Sequence, residues 1–189
     1  MYEQVDDMEI SIKALADYMD ISSITDLKRI FYASTVLKYK KSATIDDKLF
    51  KDMFCILVSG AVRHFRINDE SGEEQTLRFT FSCEVLYTCQ LIEIIEEGMQ
   101  SISDCMVLAV PYALLQKFGE DEHLKKNVQE LIMKNLEFEV SLLRMPPEMR
   151  YKILIRRCRD IFLIVPLKHI ASFLGITPQA LCRIRKRLL

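Results

Sequence analysis

PLKHIASFLGITPQALCRIRKRL, residues Pro166–Leu188, decides how the rest of the chain is read. Set on a helix-turn-helix template that starts at Leu167, its apolar positions fall on Ile170, Leu174, Ile176, Leu181 and Ile184. Ala171 stands where two helices cross closely, a place that only a small side chain permits. Gly175 stands at the turn, where a left-handed residue ends the first helix. Thr177 then serves as N-cap and Pro178 takes the first helical position, the favoured order for starting the second helix.

Helical geometry sorts the second helix into two faces. Leu181, Ile184 and Leu188 are expected to point inward, while Gln179, Arg183 and Lys186 follow at i, i+4 and i+7 on the outer face. Arg reads guanine bidentately and Gln reads adenine in a major groove, whereas Arg185, Lys186 and Arg187 at the far end suit phosphate. The candidate DNA-binding residues are therefore Thr177, Pro178, Gln179, Arg183, Arg185 and Lys186.

Charge supports a polyanionic partner. The 189 residues carry a formal charge of −1. From Arg144 onward, however, eleven Lys and Arg face only Glu148 and Asp160, so the C-terminal part stands at +9 and residues 1–143 at −10. Signs segregated along a chain suggest a basic module carried on an acidic body, with a polyanion as its partner, and the helix-turn-helix makes that polyanion double-stranded DNA.

Working back from the motif, Pro146-Pro147 ends a long helical segment running from Glu120 to Leu143. In it Leu124, Val128, Leu131, Asn135, Phe138 and Leu142 follow coiled-coil spacing, and a polar Asn135 within such a seam fixes register. That seam predicts a homodimer. Ile132, Leu136, Val140 and Leu143 form a neighbouring stripe expected to pack on the protein's own body. Glu148–Ile161 returns to helical spacing with Arg156, Arg157 and Arg159 beside it, before Val165-Pro166 breaks the chain.

Toward the N-terminus, Ile10–Tyr32 carries helical spacing. The period then changes. Val36–Lys41, Phe54–Val58, Ala61–Ile67, Gln75–Phe81 and Met106–Val110 are short runs of β-branched and aromatic residues parted by turns such as Ser59-Gly60 and Asn68–Gly72. They predict a small antiparallel β-roll. The fold class is thus α+β: a β-roll sensor with N-terminal helices over 1–119, a dimerisation helix over 120–145 and a helix-turn-helix domain over 146–189.

Other classes find little support. Six cysteines lie scattered without a CxxC pair, as expected of reduced thiols, so neither a metal nor another cofactor is expected. The acidic N-terminus lacks the basic-then-apolar order of a signal peptide, and no apolar run is long enough to span a bilayer. A cytoplasmic protein is expected. An enzyme of the cupin type would need clustered histidines, but His64, His123 and His169 fall in three different elements. No nucleophile stands beside a base, so no enzyme is expected.

FCILVSGAVRHFR (Phe54–Arg66), the acidic turn Asn68–Gly72 and GITPQALCRIRKRL together resemble the cyclic-AMP receptor protein/Fnr (Crp/Fnr) family of bacterial transcription regulators. The resemblance implies a cyclic-nucleotide-binding-like β-roll, a dimer with its reading heads about one DNA turn apart, and RNA polymerase as a further partner. Nucleotide-binding members carry Gly-Glu and Arg-Ser pairs, where this chain aligns Tyr87-Thr88 and Gln100-Ser101. Glu93, Glu96 and Glu97 crowd the same segment and would repel a phosphate, so cyclic AMP is not expected to bind. The Cys cluster of iron–sulfur members is missing from the N-terminus, and His64 and His123 show no obvious axial partner for haem. Family members often open the recognition helix with Arg-Glu, here Pro178-Gln179, so no target sequence carries over. With the sequence ending at Leu189 there is no room for a wing, and contact should rest on the recognition helix and on Arg156, Arg157 and Arg159. A protein keeping the regulator fold without specific DNA binding is the alternative.

Overall fold

Where β-branched and aromatic residues dominate, the chain forms strands that close on one another. The computed structural model describes residues 28, 32–68, 70–88, 97–114 and 122–188, apart from the side chains at 122–125, 127–129, 131, 132 and 135. The helix expected over Ile10–Tyr32 lies almost entirely outside them.

Among the described residues, seven strands build two antiparallel sheets. β1 (Thr35–Tyr39), β7 (Cys105–Pro111), β2 (Met53–Ser59) and β5 (Glu84–Leu86) lie side by side in that order. A short helix, α1 (Leu49–Asp52), leads into β2. The second sheet runs β4 (Glu74–Phe81), β3 (Ala61–Ile67), β6 (Gly98–Ser101). Leu57, Val62, Leu86, Met99, Val107 and Ala109 fill the space between the sheets, where burial of apolar surface supplies most of the stabilisation. Gly60 makes the β2–β3 reversal at φ +98°, and a Cβ there would lie 2.5 Å from the Asp104 carbonyl oxygen. The expected strands all form. β5 and β6 were not expected, being three and four residues long with little alternation.

The register of β3 against β4 slips between His64 and Phe65, so that His64 faces Arg78 while Phe65 faces Thr76. This bulge carries a basic side chain into the roll. Arg78 is 8% exposed and His64 fully buried.

The long helix α2 (Glu122–Leu143) follows. Among the expected seam residues, the side chains of Leu124, Val128, Leu131 and Asn135 lie outside the described set. The last two turn home: Leu142 is buried and Phe138 packs beside it against the chain's own core. Met133, Val140 and Leu143 are the exposed apolar residues at this end, with Leu143 at 78%. Of the stripe expected to pack inward, Val140 and Leu143 face out, Leu136 is half-buried and the side chain of Ile132 lies outside the described set, while Phe138 and Leu142 join the cluster of Phe79 and Phe81 of β4.

Four helices complete the chain: α3 (Pro147–Arg157), α4 (Ile161–Ile164), α5 (Leu167–Leu174) and α6 (Pro178–Leu188). They share one apolar cluster with the outer face of β4, in which Phe173 of α5 meets Phe79 at 5.4 Å between ring centres. The Thr76 amide donates to Ser172 Oγ at 2.9 Å.

Candidate nucleic-acid interface

The turn between α5 and α6 has the geometry its residues dictate. Gly175 takes φ 70°, ψ 32°, and its N–H donates to the Ser172 carbonyl. The Ile176 N–H reaches back to Ala171, completing a left-handed helix stop. Thr177 Oγ1 accepts from the Ala180 N–H at 3.2 Å, as an N-cap should, and Pro178 opens α6. Ile170, Ala171, Leu174 and Leu181 are at most 1% exposed where the two helices cross. The Arg150 guanidinium closes the end of α5 by donating to the carbonyls of Phe173 and Leu174.

Thr177, Pro178, Gln179, Arg183 and Lys186 all stand exposed, and Arg183 and Lys186 form no ion pair among the described residues. Cys182 lies exposed between them. The remaining basic residues divide. Arg185 is half-buried, its guanidinium 4.1 Å from the centre of the Phe162 ring, so it braces α6 against α4 rather than reaching outward. Arg187 pairs with Glu148 of α3. Leu188, expected inside, is 37% exposed because α6 runs past the helices that could cover it.

Arg157, expected at DNA, is committed elsewhere. Its Nη2 donates to Glu84 Oε2 at 2.6 Å and to Oε1 at 2.7 Å, and Nε adds a third contact. Its plane lies 5.1 Å from the ring centres of both Phe81 and Phe138. It therefore straps α3 to β5 and α2. Arg156 and Arg159 remain exposed.

A second strap joins α5 to the roll. Arg63 is 2% exposed; its Nε donates to Thr76 Oγ1, its Nη2 lies 2.7 Å from Glu74, and its Nη1 reaches His169 Nε2 at 3.4 Å. Burial first, then the charges of Arg63 and Lys168, push His169 down to about 4, so the ring is neutral and accepts from Arg63. No local sequence pattern reveals Arg157–Glu84 or Arg63–His169, since each joins residues far apart in the chain.

Among solved structures, FixK2 from Bradyrhizobium japonicum is similar over 82% of this chain and 84% of its own, with 20% identity and a TM-score of 0.64. A cyclic nucleotide-binding domain containing protein from Listeria monocytogenes covers 94% and 90%, at 10% identity and a TM-score of 0.65. A protein described as a transcriptional regulator of the Crp/Fnr family, from Eubacterium rectale, covers 92% and 85% at 16% identity with a TM-score of 0.61. The chain has the Crp/Fnr fold. No protein-family model matches the sequence, and no curated protein matches it.

Within the Crp/Fnr fold, the residues aligned with a nucleotide site do other work. Ser101 Oγ donates to the Lys40 carbonyl at 2.6 Å with the Ala43 carbonyl also in reach, and the main chain of Gln100 forms an isolated β-bridge with Thr44. Arg78, buried in the roll, faces Glu97 at 2.7 Å. Glu93 and Glu96 lie outside the described residues. Beside Arg78 a cavity of about 350 Å³ opens at the junction of β4, α2 and α3, lined by Tyr87, Phe138, Glu139 and Arg157 among others. No group of three or more His, Cys, Asp or Glu among the described residues could hold a metal ion. No helix among them is long and apolar enough to cross a membrane.

Proposed function

We propose that the protein is a sequence-specific, DNA-binding transcription regulator of the Crp/Fnr type, acting as a homodimer. The observation that carries this reading is the face of α6: Gln179, Arg183 and Lys186 point to solvent at helical spacing while Arg185 and Arg187 are engaged within the protein. Gln179 and Arg183 read bases in a major groove, and Lys186, with Thr177 and Pro178 at the helix start, meets the backbone. Arg185 supports the helix from behind.

The segments divide the work: 1–119 as sensor, 120–145 as dimerisation helix, 146–189 as DNA-binding domain. Exposed Met133, Val140 and Leu143 give α2 an apolar surface suited to a second copy. Leu124, Val128, Leu131 and Asn135 share the helix face of Phe138 and Leu142, and would add a second line of contact with that copy in the earlier turns. Such a dimer carries two reading heads and favours palindromic sites. RNA polymerase is its partner at promoters, the protein is not an enzyme, and its place is the cytoplasm. Selection of bound sequences from random DNA tests the reading. A palindromic consensus, with affinity reduced about tenfold or more by Arg183→Ala, is expected. No enrichment would instead favour an interaction protein that has kept the fold.

A further inference from the structure

Six polar side chains run through the interior of the roll as one chain of contacts. Thr80 lies 2.9 Å from His64 Nε2, and His64 Nδ1 lies 2.6 Å from Glu97 Oε1. The same carboxylate lies 2.7 Å from Arg78 Nη2, and its side chain is 2% exposed. Arg78 stacks over Tyr87 at 4.3 Å and lies 3.6 Å from Glu139 of α2, to which the Tyr87 hydroxyl donates at 2.8 Å. Burial above all, then Arg78, pushes His64 down to about 4. A neutral ring donates from Nδ1 to Glu97 and accepts at Nε2 from Thr80, which satisfies both nitrogens.

One guanidinium thus faces two carboxylates with a neutral imidazole beside them, leaving the cluster formally at −1. We infer that Glu97 and Glu139 are built-in occupants of the anion position at Arg78, so that α2 is tethered to the roll without any anionic effector. An added phosphate or carboxylate would have to displace a buried, doubly bonded Glu97 and would meet net repulsion. If the protein is the regulator proposed above, its long helix is held at this point without a ligand, and control by an anion binding at Arg78 is closed off. The tether itself does not depend on that reading.

Chemical rescue tests it on the full chain. Thermal melting of the wild type is followed in chloride, formate, inorganic phosphate and cyclic AMP at matched ionic strength. The wild-type midpoint should not move. Glu97→Ala vacates the position, and saturating formate should raise its midpoint by about 2–4 °C. Glu139→Ala, at the rim of the cluster, should lose protection from hydrogen exchange in the last turns of α2 while the strands keep theirs. A wild-type midpoint raised by phosphate or cyclic AMP overturns the inference whether or not Glu97→Ala folds. So does a folded Glu97→Ala that ignores formate. No readout involves DNA, so this result and the DNA selection can fail independently.

Discussion

Removing Arg157 should cost stability and leave DNA contact untouched. The guanidinium is 25% exposed and Glu84 30%, with three contacts between them at 2.6–3.2 Å. A charge-assisted pair of this geometry contributes about 2 kcal/mol after a discount for its partial exposure. Two ring faces at 5.1 Å and the bond to the Phe79 carbonyl add about 1–2 kcal/mol more. Arg157→Ala should therefore lose about 3–4 kcal/mol in urea unfolding, and Glu84→Gln about 2. In the double-mutant cycle the two should couple by about 2 kcal/mol. A coupling below about 0.5 kcal/mol would refute the strap. DNA binding supplies the opposing check. A phosphate contact contributes about −0.9 to the slope of log affinity against log salt. If Arg157→Ala stays folded and makes that slope shallower by such an amount, Arg157 grips DNA rather than strapping α3 to β5.

Gly175→Ala should destabilise the protein by about 1 kcal/mol, because φ 70° is costly for any Cβ while the space itself is open; an unchanged urea midpoint would count against the turn. Ala171→Leu should cost about 1–3 kcal/mol by overpacking a position only 1% exposed, and a melting temperature equal to wild type would argue against the close crossing. His64 has a folded value of about 4 against an ordinary 6.5, so the unfolded chain binds more protons between these limits. Its contribution is complete above pH 6.5 and is lost as pH falls toward 4, on the order of 3 kcal/mol in all. Replacing His64 by Gln should flatten that part of the pH–stability profile, and an unaltered slope would show that another group sets it.

The parts of the protein written in local chemistry could be read from the sequence. Gly175, Thr177 and Pro178 each answer a backbone requirement of one turn, and Ala171 answers one of size, so the helix-turn-helix was legible to the residue. Gly60 and the β-branched runs likewise placed five strands. What escaped depends on partners distant in sequence. A cluster such as Arg156, Arg157 and Arg159 looks uniform until Glu84 claims its middle member. Arg185 gives no local hint that Phe162 lies beneath it. Periodicity found two apolar stripes on the long helix, but which one faces home is set by Phe79 and Phe81 on another element. No local signal marks Arg78, because its alignment inside the roll follows from a one-residue slip that no pattern announces.

The bond from the Thr76 amide to Ser172 limits how freely the helix-turn-helix unit can move against the roll. β4 is the rim of its sheet, and α5 is what covers that rim. An exposed rim of main-chain donors and acceptors is a template for pairing with another chain. A swing of the helix-turn-helix unit away from the roll would therefore bare a sticky edge as well as reorient the exposed face of α6. Protection against aggregation is thus tied to the docked position, and mutations that loosen docking should first show themselves as poor solubility.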